Sequence, residues 1–192
     1  MAENQATKSW HKWWAIKCGI HDSMFGGSIY TEMGNLFEHP ILMTIDKNMN
    51  TDRQLKLQKY NLRVNYDGDL DGVIYEVKTH RADKPFEVSK AYYQQAQVEM
   101  YCWKEYIKES SIYKDWHTRE HLSELKGLYI VSYGLNVDEY NQLQAYKEGK
   151  EIEIDPRRIE MHKVKYDRGF ISSYKPRLKR LTKALRGDGI PW

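Results

Sequence analysis

Carboxylates are crowded into one short stretch of the sequence, NYDGDLDGVIYEVKTH at residues 65–80. Four acidic residues and one lysine fall between Asp67 and Lys78. Hard cations such as Mg²⁺ take oxygen ligands and keep several waters, so two carboxylates suffice to hold one. These residue types therefore fit two interpretations: a solvated hairpin with exposed charge, or a site for a divalent cation.

The Asp71-Gly72 pair in this stretch predicts a two-residue type I′ turn, because that turn needs positive φ at both central residues. The turn sets Asp67 opposite Glu76, and the alternation of side chains then separates an apolar face from a polar one. The polar face holds Asp67, Asp69, Glu76 and Lys78. Directly opposed carboxylates are destabilising, and a divalent cation between them would compensate. If the turn were longer the charges would only be exposed, and a slip of one residue would move Asp67 to the other face.

The elements around this hairpin predict a mixed α/β domain with one central sheet. Apolar periodicity and breaker residues give the boundaries, and Pro40 is expected to end the second helix. Helices are predicted over 8–20, 29–38, 87–107 and 168–186. Strands are predicted within 55–80 and over 127–133 and 158–166, whereas 45–54 is expected to be a loop.

Composition indicates a globular protein of 192 residues, predicted to be a single domain over 1–192. Its apolar runs are too short to span a membrane, and its first residues lack a signal-peptide core, so a cytoplasmic location is expected. With only Cys18 and Cys102, the chain cannot supply a four-cysteine zinc or iron–sulfur site.

Positive charge is concentrated near the end of the chain. Residues 157–186 hold eleven lysines and arginines against two acidic residues, although the whole chain carries a net charge of only +3. Such a segment suggests a polyanionic partner, and a solvated helix face is the alternative explanation.

Three motifs in order resemble the PD-(D/E)XK nuclease superfamily, in its lambda-exonuclease-like (YqaJ-type) and RecB-type branches. Asp67 with Glu76-Val77-Lys78 is similar to the D…(D/E)-x-K signature. Upstream, the stretch from Gly34 to Glu38 resembles the G-x-x-x-E helix motif. Downstream, the stretch from Gln97 to Tyr101 resembles the Q-x-x-x-Y motif. The resemblance covers roughly residues 28–133 and implies a restriction-endonuclease-like fold. The nine-residue spacing from Asp67 to Glu76 is tight for the family, so Asp69 remains a rival ligand.

The resemblance implies a DNA nuclease that uses one or two Mg²⁺ or Mn²⁺ ions. Because the chain has no cysteine cluster, it departs from the iron–sulfur members of the RecB-type branch, and no such cluster is expected. Glu38, Asp67 and Glu76 would hold the metal together with the carbonyl of Val77, and Lys78 would position or help deprotonate the attacking water. Gln97 would orient the lysine, the water or a phosphate, and Tyr101 would pack behind it or contact the DNA backbone. Phosphate contacts are expected from the basic segment: Arg157, Arg158, Lys175, Arg177, Lys179 and Arg180.

An exonuclease of phage-type recombination is the favoured expectation, working in the host cytoplasm if phage-encoded. It would act beside a single-strand annealing protein and could form an oligomer. A structure-selective endonuclease and a DNA-binding module without catalysis are the alternatives. A remote alternative is a zinc peptidase, because His117, Glu120 and His121 match the H-x-x-E-H pattern. His39 and His80 flank the proposed acids and could contact a phosphate.

Overall fold

The structure, a computed structural model, describes Lys12 and residues 28–112 and 122–187. The helix predicted over 8–20 lies outside these ranges, except for Lys12, and so do His117, Glu120 and His121. The helices are α1 (Ile29–Ile45), α2 (Lys90–Ile112), α3 (Val137–Asn141), α4 (Leu143–Lys147) and α5 (Arg168–Leu185). The strands are β1 (Asn50–Leu57), β2 (Leu62–Leu70), β3 (Val73–Arg81), β4 (Gly127–Leu135) and β5 (Ile159–Val164).

The five strands form one mixed sheet in the order β1-β2-β3-β4-β5. Strands β2 and β3 are antiparallel, β3 and β4 are parallel, and β4 and β5 are antiparallel. Helix α2 connects the two parallel strands, as expected for a parallel pair, which cannot be joined by a tight turn. The predicted α/β class, with one central sheet flanked by helices, is confirmed.

Helix α1 covers one face of the sheet and supplies much of its core. Its buried residues Phe37 and Ile41 pack in one cluster with Val77 of β3 and Val131 and Tyr133 of β4. These residues are at most 7% exposed. Because full burial of each large apolar side chain is worth about 1.5–3 kcal/mol, this face fixes the helix firmly against β3.

The predicted end of this helix at Pro40 is wrong, because α1 continues to Ile45 with the proline inside it. An interior proline removes one backbone hydrogen bond and costs about 3 kcal/mol or more. Ile41 and Leu42, both fully buried just beyond it, offset that cost. The loop predicted over 45–54 is also wrong in its second half. Residues 50–54 form part of β1, because this strand pairs with β2 at the edge of the sheet.

The chain divides into two compact units. Among the described residues, the larger contains 28–56, 63–112 and 122–166, and it includes nearly the whole sheet. In the smaller unit, α5 packs on the segment Leu57–Leu62, where Thr182 Oγ1 donates to the Tyr60 carbonyl at 2.7 Å. Helix α5 begins where the Asp167 carboxylate accepts from the Phe170 N–H at 3.0 Å, so the predicted basic helix is confirmed.

Several boundaries differ from those predicted from the sequence. Helix α2 starts at Lys90 because Ser89 accepts from the Tyr92 N–H, and it extends beyond 107 to Ile112. Two short helices, α3 and α4, occupy a region where none was predicted. None of the helices in the described ranges is both long and apolar enough to cross a membrane.

Candidate active site

The hairpin between β2 and β3 has the predicted turn and register. Asp71 and Gly72 have φ values of 49° and 84°, as a type I′ turn requires. The ladder pairs Leu70 with Val73, and it continues through Asp69–Ile74 to Gly68–Tyr75. A Cβ on Gly72 would lie 2.2 Å from the Glu124 carbonyl oxygen, so the turn has room only for glycine.

Beyond these three pairs, Asp67 uses its side chain to meet β3. Its Oδ2 accepts a hydrogen bond from the Val77 N–H at 2.6 Å, which places the carboxylate beside Glu76. The Val77 side chain points to the opposite face, into the core under α1. The strand therefore presents the Glu76 side chain to one face of the sheet while its next N–H anchors Asp67.

Three carboxylates from three elements meet here: Glu38 on α1, Asp67 on β2 and Glu76 on β3. Burial, followed by the charges of Glu76 and Glu38, raises the pKa of Asp67 to about 8. Burial and the charge of Glu76 also raise the pKa of Glu38. Mutual repulsion of this kind is typical of carboxylates arranged to share a cation or a proton.

Lys78 provides the positive charge of the cluster. Its Nζ lies 2.6 Å from Glu76 Oε1 and 5.2 Å from the centre of the Tyr92 ring. Burial acts to lower the pKa of Lys78, but the charge and hydrogen bond of Glu76 outweigh it, so that the pKa is raised. In this arrangement Lys78 is a fixed cation, able to offset phosphate charge.

Two residues that sequence reasoning missed complete the cluster. Gln95 Nε2 on α2 donates to Glu76 Oε1 at 2.5 Å and to Glu99 Oε1 at 2.9 Å. Glu99 is 2% exposed, and burial, followed by the charge of Glu76, raises its pKa well above the ordinary value. The i, i+4 spacing of Gln95 and Glu99 was a usable signal, because it sets both side chains on one helix face.

Gln97 and Tyr101 occupy a different part of α2. Gln97 is fully buried and donates to the Lys165 carbonyl at 2.7 Å, and Tyr101 is 1% exposed. Each helical residue turns the side chain by about 100°, so position 97 points nearly away from position 95. Gln95 therefore supplies an amide that binds the acidic cluster, and the role expected for Gln97 stays a prediction.

Asp69, the rival ligand, accepts hydrogen bonds from donors outside the acidic cluster. Its two oxygens accept from Tyr66 Oη at 3.1 Å, Arg53 Nε at 3.2 Å and Asn50 Nδ2 at 3.1 Å. The side chain is buried. This set of partners balances the charge of Asp69 within the β1–β2 region, whereas Asp67 faces Glu38 and Glu76.

The predicted DNA-contacting residues lie in both units. Arg157 is exposed and paired with Asp155, whereas Arg158 is held by Glu139 and by the Gly134 carbonyl. The four others are on α5, where Lys179 and Arg180 are exposed. Their role in DNA binding stays a prediction.

The donor types at the cluster suit a hard divalent cation. Glu76 Oε2 is buried and has no hydrogen-bond partner among the described residues, and the raised pKa values of Glu38 and Asp67 reflect carboxylates short of positive charge. Within residues 28–112 and 122–187, however, no three acidic, histidine or cysteine side chains are already arranged to hold a metal. Lys78 and Gln95 both bind Glu76 Oε1, which leaves Oε2 as the Glu76 oxygen that is open to a cation.

Comparison with solved structures places the fold. A phage-related exonuclease from Haemophilus somnus 129PT is similar with a TM-score of 0.61 and 14% sequence identity, over 95% of this chain and 84% of that chain. A structure from Eubacterium rectale matches 94% of this chain and 63% of that chain with 11% identity, and its TM-score of 0.39 is too low to carry an argument. No family model matches the sequence, and no curated protein does. The first likeness shows that the chain has the fold of the phage-related exonuclease structure.

Proposed function

We propose that this protein is a metal-dependent nuclease that hydrolyses phosphodiester bonds of DNA. The observation that carries the proposal is the convergence of Glu38, Asp67, Glu76 and Lys78. Lys78 Nζ lies 2.6 Å from Glu76 Oε1, and burial together with the charge of Glu76 raises the pKa of both Glu38 and Asp67. The exonuclease with the similar fold supports it.

The acids would hold one or two Mg²⁺ or Mn²⁺ ions, with the Val77 carbonyl as a further ligand. When bound, the metal supplies Lewis-acid chemistry, lowering the pKa of a water and offsetting the charge of the scissile phosphate. Gln95 holds Glu76 in place through its hydrogen bond, and Glu99 in turn fixes the Gln95 amide. Lys78, released from Glu76, would place its charge against the phosphate and the attacking water.

Cleavage of DNA by purified protein tests this assignment. With Mg²⁺ or Mn²⁺, the wild type is expected to degrade linear duplex DNA, because the metal site and Lys78 act on the phosphate together. Glu76→Gln and Lys78→Met should each lower the rate by about 10³-fold, in the range measured for loss of a group that moves a proton or stabilises charge. Lys56→Met is the matched control, since Lys56 is exposed on β1.

The choice of DNA substrate separates the finer alternatives. Release of mononucleotides from linear duplex, with closed circles left intact, would indicate the exonuclease that we favour in phage-type recombination. Cutting of four-way junctions or nicked circles would indicate a structure-selective endonuclease. Binding of DNA without cleavage under either metal would refute the enzymatic proposal and favour a binding module.

Further partners belong to the same proposal. Arg157, Arg158 and the cations of α5 would contact phosphates without reading sequence, so affinity should fall steeply with salt. An oligomer around the DNA and a single-strand annealing protein as partner are extensions of the recombination role. The zinc-peptidase alternative stays a prediction, because its three residues lie outside the described ranges.

A further inference from the structure

A pocket opens on the same face of the sheet as Lys78. Its volume is about 400 Å³, within the range of small-molecule sites. His80 contributes one wall, and it lies two residues beyond Lys78 on β3, so both side chains leave the same face of the strand. The pocket thus neighbours the acidic cluster along the strand that carries Glu76.

Aromatic rings connect the cluster to the pocket. The Tyr92 ring, which lies under the Lys78 ammonium, stacks on Phe86 with centroids 6.0 Å apart and planes at 8°. Phe86 lines the pocket and contacts His80 at 5.3 Å and His162 at 5.0 Å between ring centroids. A flat, partly apolar wall of this kind suits a planar aromatic ligand.

The rigid part of the pocket is built by Arg158. Its guanidinium binds both carboxylate oxygens of Glu139 and the Gly134 carbonyl, and it lies 4.5 Å from the centre of the Tyr133 ring. A Cβ on Gly134 would meet Ala82 Cα at 3.1 Å, so the backbone packs closely there. Because Arg158 already binds Glu139 and the Gly134 carbonyl, its main part in the pocket is to shape the wall.

Two exposed cations line the mouth of the pocket. The Nε and Nη2 atoms of Arg157 bind Asp155, and its side chain is 89% exposed, so an anion can reach it from solvent. Lys84, which is also exposed, lines the pocket as well. The pocket also contains two acids: Asp83, which is paired with Arg81, and Glu160, which lies 3.6 Å from His162. An anionic group would therefore bind at the Lys84 and Arg157 side.

We propose that this pocket binds one unpaired nucleotide of the DNA strand that is cleaved. The base would stack against Phe86 and His80, and its phosphate would lie between Lys84 and Arg157. This proposal rests on the proposed function, because it assigns the pocket to the strand whose scissile phosphate lies at Lys78. It gives the nuclease a means of holding a frayed or single-stranded end next to the reactive centre.

Binding of dAMP without added metal tests the pocket separately from catalysis. The ring resonances of His80 and His162 in the NMR spectrum of the full chain are expected to shift with dAMP. Deoxyadenosine and inorganic phosphate, which each carry half of the ligand, should shift them only at much higher concentrations. Equal shifts with phosphate alone, or no shift with dAMP, would overturn the proposal.

Two variants separate the base from the phosphate. Phe86→Leu keeps an apolar side chain but removes the ring, and should weaken dAMP binding about tenfold, within the range for loss of a base–aromatic stack. Lys84→Gln changes an exposed side chain, so the fold should be unaffected. This variant should also weaken the binding of dAMP but leave the binding of deoxyadenosine unchanged. Lys56→Gln is the control. Wild-type affinity for dAMP in Lys84→Gln would refute the phosphate assignment, whatever Phe86→Leu does to folding.

Cleavage kinetics then link the pocket to the substrate. On a single-stranded oligonucleotide, Lys84→Gln should raise KM about tenfold with little change in kcat, because the interaction is lost equally from the ground state and the transition state. If the wild type cleaves DNA and the variant keeps its KM, the nucleotide pocket is refuted and the nuclease assignment stands. If the wild type binds dAMP but cleaves no DNA, the nuclease assignment fails on its own.

Discussion

Replacing Asp67 by asparagine should change how the stability of the metal-free protein depends on pH. The pKa of this carboxyl is raised to about 8, because the group is buried beside Glu76 and Glu38. The folded state therefore holds a proton that the unfolded chain releases near its ordinary pKa of about 3.9. The stability contributed by this protonated group is complete below that lower pKa and is lost as the pH rises through the folded pKa.

The size of the effect follows from the shift. Each pKa unit corresponds to about 1.36 kcal/mol, so a rise from about pH 5 to about pH 8 could lower the free energy of unfolding by at most about 4 kcal/mol. Glu38 and Glu76 retain their own repulsion when Asp67 is neutralised. That repulsion is not part of this loss, and Asp67→Asn removes the titrating group itself, so we expect the variant to lose most of this pH dependence, at most about 4 kcal/mol.

Urea unfolding of the metal-free protein at several pH values measures this difference. Asparagine keeps an acceptor oxygen for the Val77 N–H, so the hydrogen bond that anchors Asp67 survives. Asp71→Asn is the matched control, because asparagine also adopts the positive φ of that turn residue. If the free energy of unfolding changed with pH in the same way for the wild type and for Asp67→Asn, the charge of Asp67 would not destabilise the folded protein, and the prediction would be refuted. Added Mg²⁺ should restore the stability of the wild type at the upper pH.

Two further predictions concern α2 and the hairpin. Gln95→Ala should lower the rate of DNA cleavage with little loss of stability, because Gln95 donates to Glu76. Gln97→Ala should lower the melting temperature and leave kcat nearly unchanged, because Gln97 donates to the Lys165 carbonyl. Equal effects of the two variants on kcat would contradict the assignment. Gly72→Ala should cost at least about 1 kcal/mol in urea unfolding, since alanine is strained at positive φ and its Cβ would meet the Glu124 carbonyl; a variant as stable as the wild type would contradict the turn geometry.

The hairpin was the most predictable part of the site, because its determinants are local. The Asp71-Gly72 pair dictates a turn with positive φ, and the turn dictates the register over the first three pairs. The position of Asp67 next to Glu76 could therefore be predicted from the sequence. The hydrogen bond from the Val77 N–H to the Asp67 side chain could not be predicted, because it forms where the ladder between β2 and β3 ends.

Tertiary contacts decided the features that the sequence did not predict. Three glutamines lie between positions 94 and 97, and only packing of α2 on the sheet determines which one meets Glu76. Pro40 is a local signal for a helix end, yet burial of Ile41 and Leu42 carries α1 past it. Asp69 and Asp67 look equivalent in the sequence, and the difference between them lies in donors from β1, including Arg53.

The hydrogen bond between Asp67 and Val77 also restricts how this protein can change during evolution. Position 67 must accept a hydrogen bond from the β3 backbone whether or not DNA is cleaved, since a buried N–H without a partner costs about 1–3 kcal/mol. Only aspartate and asparagine offer an oxygen at that reach. A lineage that lost the proposed nuclease activity would therefore have asparagine as its least costly substitution at this position, and the fold would persist with one amide in place of one acid.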